Sequence, residues 1–288
     1  MKNSSRRLGV ALGLAALSGA ALSGTALHLY AQTTPNLGGF EDTPLLPGTQ
    51  WHVHDNLRPQ PPVITAGTYS APTGVVTPPS DATVLFDGTN LDQWRNENQA
   101  PAPWTVANGV LQTKPRSGDI YTKAEFGDCQ VHLEWSAPTP PVGRSQERGN
   151  SGLFLMGRYE IQILDNSDNP TYADGTASAI YGQTPPQVNP LRPPGDWNTY
   201  DVIWEGPRFQ AGKLAKPAYV TVLVNGVVTQ NHTMLIGETP YRSVGKYTPH
   251  GEKGPLRLQD HGNPIRFRNI WVRPLHPQEQ LNLAVPQP

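Results

Sequence analysis

Two short stretches decide how this chain folds: Val131-His132-Leu133-Glu134-Trp135 and Tyr159-Glu160-Ile161-Gln162-Ile163. Successive side chains on a strand point to opposite faces. The alternation therefore puts Val131, Leu133, Trp135, Tyr159, Ile161 and Ile163 on an apolar face, and His132, Glu134, Glu160 and Gln162 on a polar one. A third stretch, Leu256-Arg257-Leu258-Gln259-Asp260-His261, sets Arg257, Gln259 and His261 against Leu256 and Leu258. Each reads as a half-buried strand. A sheet face carrying carboxylates, amides, imidazoles and a guanidinium is suited to holding a polar ligand and acting on it.

The same texture continues on both sides of these segments from Ala82 onward. Short runs such as Thr83-Val84-Leu85-Phe86, Tyr200-Asp201-Val202-Ile203-Trp204 and Tyr219-Val220-Thr221-Val222-Leu223-Val224 are separated by Gly, Asn, Asp and Pro. Asn108-Gly109 and Asn225-Gly226, flanked by β formers, predict two tight hairpins because both residues tolerate positive φ. With 31 Pro and 28 Gly, long helices have little room. The expectation is an all-β jelly-roll β-sandwich over residues 81–276. Trp94, Trp104, Trp135, Trp204 and Trp271 are read as core residues of that sandwich.

The ends of the chain read differently. Lys2, Arg6 and Arg7, followed by a small, apolar run from Leu8 to Leu29 and by Ala31-Gln32, predict an export signal over residues 1–31. The Arg6-Arg7 pair fits a twin-arginine signal as well as an ordinary secretory one, so the expected location is periplasmic or extracellular. The run is interrupted by Gly and Ser, so no stable membrane span is expected. Residues 32–80 form an extended Pro-rich arm. Within it, Trp51-His52-Val53-His54-Asp55 carries more aromatic and imidazole content than a linker needs, which predicts that part of the arm packs on the main domain. Residues 277–288 read as a tail.

Composition removes several function classes. The net charge is −1 and no basic stripe is present, so nucleic acid is not an expected partner. Cys129 is the only cysteine, which excludes an intrachain disulfide. No organic cofactor motif is present. The oligomeric state is not legible.

The ordered motifs resemble a known family. They run Leu85-Phe86-Asp87-Gly88…Leu91…Trp94, Gly149-Asn150-Ser151-Gly152, Tyr159 to Asp165, Gly182 after Ala179-Ile180-Tyr181, Asp196-Trp197-Asn198-Thr199, Leu258-Gln259-Asp260-His261-Gly262 and Phe267-Arg268-Asn269-Ile270. Together, over about Ala82 to Leu275, they are similar to the 3-keto-disaccharide hydrolase domain family. That family is also described as 3-keto-glucoside 1,2-lyase and 3-keto-2-hydroxy-glucal hydratase. The resemblance implies a concanavalin-like fold and a carbohydrate substrate whose glycosidic bond is cleaved.

A ketone at C3 of a sugar acidifies the C2 proton. Its removal gives an enediolate from which the C1 oxygen departs, and water added to the resulting glucal completes a net hydrolysis. Such chemistry needs a base near C2, an electrophile near O3 and an acid at the leaving oxygen. By residue chemistry and strand parity, Glu134, Glu160 and His261 are the catalytic candidates, provided their strands converge. Asn150, Gln162, Arg257, Gln259 and Arg268 are candidates for binding hydroxyls or the enolate. His132 and Asn198 are read as structural. A divalent metal has two candidate sites: Glu134 with Glu160 and His261, or the loop containing Asp165 and Asp168, with Asp174 beyond, whose hard oxygens suit calcium. Two alternatives stay open, a non-catalytic lectin-like module and a glycosidase acting on unoxidised glycans.

Overall fold

The computed structural model describes residues 38–61, 63 and 77–275. The expected export signal and the tail at 277–288 lie outside them. Fifteen strands follow one another: β1 (Thr83–Phe86), β2 (Trp94–Asn96), β3 (Thr105–Ala107), β4 (Val110–Gln112), β5 (Ile120–Phe126), β6 (Cys129–Ser136), β7 (Asn150–Leu155), β8 (Tyr159–Leu164), β9 (Asn198–Glu205), β10 (Arg208–Gln210), β11 (Lys213–Lys216), β12 (Tyr219–Val224), β13 (Val227–Met234), β14 (Gly254–Leu258) and β15 (Arg266–Pro274). Among the described residues helix is confined to short 3-10 turns at Ser145–Glu147 and Ala173–Gly175. Among the described residues no helix is long and apolar enough to cross a membrane.

The strands form an all-β, antiparallel, two-sheet sandwich of the kind the alternation predicts. One sheet has eight strands, ordered β13-β12-β9-β6-β15-β4-β3 with β1 also paired to β15. The other has five, ordered β2-β5-β14-β7-β8. The chain shuttles between them, β4 to β5 to β6 to β7 and later β13 to β14 to β15, so neither sheet can form without the other. Both expected hairpins are present. Asn108 and Gly109 turn β3 into β4 with φ of 51° and 76°, and Asn225 and Gly226 turn β12 into β13 with φ of 52° and 80°.

The apolar parity set lies between the sheets. Val131, Leu133 and Trp135 on β6 share one continuous core with Tyr159, Ile161 and Ile163 on β8 and with Leu256 and Leu258 on β14. The Tyr159 ring lies 5.2 Å from Trp204, and the Tyr200 hydroxyl donates to the Gln162 carbonyl at 2.9 Å, which ties the two layers together. Burying each such side chain contributes about 1.5–3 kcal/mol, so the core supplies the stability of a domain whose single cysteine allows no intrachain disulfide. Trp271 corrects its expectation. It is buried, but it faces outward and stacks on His132 at 5.1 Å. The reason is its pairing with His132 across β15 and β6, which gives both residues the same, outer, direction.

Part of the Pro-rich arm is packed, as its aromatic content suggested. Val53 and His54 are fully buried. The Phe40 and Leu46 amides donate to the His54 and Trp51 carbonyls, folding the arm back on itself.

Candidate functional site

A cavity of about 590 Å³ opens on the outer face of the five-stranded sheet. Its floor is the outward face of three adjacent strands: Asn150 and Phe154 from β7, Glu160 and Gln162 from β8, and Arg257 from β14, with Gln259 just beyond. His261 stands exposed at the rim. The neighbouring Asp260 shapes that turn, accepting from the Ser117, Gly118 and Gly262 amides. The structure therefore brings together six of the expected residues, Glu160, Gln162, Asn150, Arg257, Gln259 and His261.

Glu160 occupies the centre of this floor. It is only 4 % exposed, and no group among the described residues donates a hydrogen bond or forms an ion pair with its carboxylate. Burial pushes its pKa up to about 8, the nearby Arg257 charge opposes that rise, and Asp119 reinforces it. The guanidinium of Arg257 lies 3.4 Å from the Phe154 ring centroid and 3.4 Å from Asp119, so it sits beside Glu160 without neutralising it. Gly152 makes the arrangement possible. A Cβ there would come within 2.3 Å of the Glu160 carboxylate oxygen, which explains a glycine in mid-strand where any side chain would add packing.

The amides around Glu160 are partly spent. Gln162 donates to Gln146 Oε1 at 2.9 Å and to the Gly175 carbonyl, while its own oxygen accepts from the Ile163 amide. Asn150 donates to the Gln146 carbonyl at 2.7 Å. Three buried polar atoms on this floor have no partner among the described residues: Asn150 Oδ1, Gln259 Oε1 and Arg257 Nε. A buried polar atom without a partner costs about 1–3 kcal/mol. Two acceptors and one donor left open in a cavity match groups that both donate and accept, as hydroxyls do.

Glu134 does not meet the condition set for it as a catalytic candidate, and Arg268 is not at the same site: their strands do not converge with that of Glu160. Both point out of the eight-stranded sheet, on the far side of the core. Strands that share a core residue parity but belong to opposite sheets necessarily turn their polar faces in opposite directions. Glu134 is fully buried there, accepting from Arg268 Nε at 2.6 Å and Asn269 Nδ2 at 3.1 Å. A β-bulge in β15, with Asn269 at φ 48°, aims both donors at the one carboxylate. Trp197 covers the Arg268 guanidinium at 4.3 Å. His132 is held by Asp201 at 2.7 Å, and Asn198 accepts from the Arg192 amide and Asn225.

The residues proposed for metal binding do not fit a metal together. Glu134 is separated from Glu160 and His261 by the whole sandwich, and among the described residues no three His, Cys, Asp or Glu side chains converge. In the loop after β8, Asp165 is engaged by Arg148 Nε at 2.7 Å and by the Ser167 amide. The Asp168 backbone carbonyl accepts from Arg148 Nη1 at 3.3 Å. Asp174 is taken by His54.

Parity could not reach the remaining walls. Tyr172, Tyr181 and Tyr241 come from loops, and Phe40 from the arm. Tyr181 had a signal in its motif beside Gly182, and the arm had one in Trp51 to Asp55; Tyr172 and Tyr241 had none.

Comparison with known proteins agrees with this geometry. A Parabacteroides distasonis protein of solved structure, provisionally described as a glycosyl hydrolase, is 47% identical, with a TM-score of 0.69 over 76% of this chain and 93% of that one. A second structure from the same organism, with the same description, is 20% identical with a TM-score of 0.51 over 68% and 94%, and shares the fold. A 3-keto-disaccharide hydrolase of Bacteroides thetaiotaomicron is 21% identical over 66% of this chain and 77% of its own length. Residues 81–273 match the 3-keto-alpha-glucoside-1,2-lyase-like domain family. The chain belongs to that family of carbohydrate-active proteins.

Proposed function

We propose that this protein cleaves the glycosidic bond of 3-keto-glycosides by elimination across C1 and C2, followed by hydration, with Glu160 carrying the proton. The observation behind this reading is a buried carboxylate with no hydrogen-bond or ion-pair partner among the described residues, raised to about 8, on the floor of a cavity whose open polar atoms suit hydroxyls. In its ionised form Glu160 is a stronger base than a solvated carboxylate, and a raised proton affinity suits abstraction from carbon. It takes the C2 proton as the electrons move toward the C3 carbonyl. The C1–O bond then breaks, the C1=C2 bond forms, and the carboxylic acid returns its proton to the departing oxygen. Water added across C1=C2 gives the free 3-keto sugar.

Arg257 and the rim residue His261 line the same cavity as Glu160. Arg257 is assigned to the developing charge on O3, where a fixed cation in a water-poor site is most effective. Asn150 and Gln259 are assigned to ring hydroxyls. Two carboxylates flanking a glycosidic bond, as an unoxidised-glycan hydrolase uses, are not supplied by Glu134 and Glu160, which face away from each other. The test is NMR of a 3-keto-disaccharide in deuterated buffer. Loss of the C2 proton signal together with release of the second sugar is the expected result. Tight sugar binding with no exchange and no release would make the protein a binding module instead.

A further inference from the structure

Four aromatic residues that line the Glu160 cavity, Phe40, Tyr172, Tyr181 and Tyr241, surround one buried histidine that does not line it. The His54 ring lies 4.2 Å from Tyr172, 4.7 Å from Tyr181, 5.9 Å from Tyr241 and 6.2 Å from Phe40. Asp174 holds His54 twice, accepting from its backbone amide at 3.0 Å and pairing with ring Nδ1 at 3.2 Å. Gly182 gives the ring its space, since a Cβ there would lie 3.3 Å from His54 Cε1. Phe40 is fixed separately. The Arg242 guanidinium stacks on it at 3.9 Å while pairing with Asp42 at 2.8 Å. Both Phe40 and His54 come from the arm, which precedes the matched family domain at residues 81–273.

We propose that the arm is a fixed part of the substrate site. Phe40 forms, with Tyr172 and Tyr181, an aromatic wall that stacks against the apolar C–H face of a pyranose ring, and His54 is the positioning residue that sets the angle of that wall. The proposal rests on the cavity being a sugar site. The negative face of an aromatic ring attracts the weakly positive C–H edge of a pyranose. Opposite the wall, the polar floor serves the hydroxyls at the rim of the same sugar, so the two surfaces divide one ligand between them. An arm held only for stability would have no reason to place a half-buried ring in the cavity and clamp it with an arginine.

The test uses the whole protein with 3-keto-trehalose for turnover and trehalose for calorimetric binding. Phe40→Ala is expected to raise KM and the trehalose Kd about tenfold with kcat within about threefold, and Phe40→Trp to restore both. His54→Ala is expected to weaken binding of both sugars, and His54→Gln to recover part of it, in variants whose circular dichroism matches the parent. Unchanged KM and Kd in Phe40→Ala would overturn the wall. If the parent binds trehalose in a Phe40-dependent way but never turns over 3-keto-trehalose, the proposed reaction fails while the wall stands.

Discussion

Glu134 on β6 and Glu160 on β8 sit in the same local pattern, each an acid between core residues on a strand that turns its apolar side inward. Their surroundings differ. Glu134 accepts from Arg268 and Asn269 and is covered on the outside of the eight-stranded sheet. Glu160 lies over Gly152 on the outside of the five-stranded sheet with no donor among the described residues. A buried carboxylate with its donors in place is a structural element. A buried carboxylate without them is unstable as an anion, and that cost is tolerated where a ligand is to be engaged.

Replacing each acid by its amide separates the two roles. Glu160→Gln is expected to lower turnover of a 3-keto-glycoside by about 10²–10⁴, the usual scale for a lost general acid or base. Glu134→Gln should change turnover by less than about threefold while lowering the melting temperature. Equal kinetic effects from the two variants would dissolve the distinction. Gly152→Ala should also cost turnover, by about tenfold or more, because the new Cβ displaces the Glu160 carboxylate.

The second way to sharpen the contrast is to remove the partner. Arg268→Ala leaves Glu134 charged and buried, and is expected to destabilise the fold by about 3–5 kcal/mol in urea unfolding. Glu160 has no such partner among the described residues, and its effect on stability runs through pH instead. Between about 4.5 and about 8 the folded protein holds a proton on Glu160 that the unfolded chain releases. By linkage, stability then falls as pH rises across that window. The expected loss is a few kcal/mol at most, since each pKa unit corresponds to about 1.4 kcal/mol. Glu160→Gln should flatten it, which urea titrations at pH 5 and pH 9 would show. The smallest effect belongs to the loop after β8. Asp165→Asn weakens the Arg148 contact and should cost about 1–2 kcal/mol with turnover intact.

Strand parity was enough to find the sandwich and the polar side chains on the floor of the cavity, and turn chemistry to find both Asn-Gly hairpins, because both are local properties that a window of a few residues already carries. It could not separate Glu134 from Glu160, since each segment shows only which side faces a core, not which sheet it belongs to. Trp271 went the wrong way for a related reason. Its outward direction follows from its register opposite His132 across the β15 bulge, and register is a property of two strands. The motifs around Asp87 and Asp260 are explained by turns. Asp87 accepts from the Thr89 amide and hydroxyl, and Asp260 from three backbone amides.

What the chain determined by itself is therefore its class, its two faces and its list of polar candidates, all consequences of period-two geometry and turn chemistry. Which acid is engaged and which has no donor among the described residues, and that Phe40, Tyr172, Tyr181 and Tyr241 gather around His54, was decided only by tertiary structure. The reason is distance along the chain. His54 and Asp174 are 120 residues apart and Glu134 and Arg268 134, and such pairings are set by how the sheets stack and not by any local pattern.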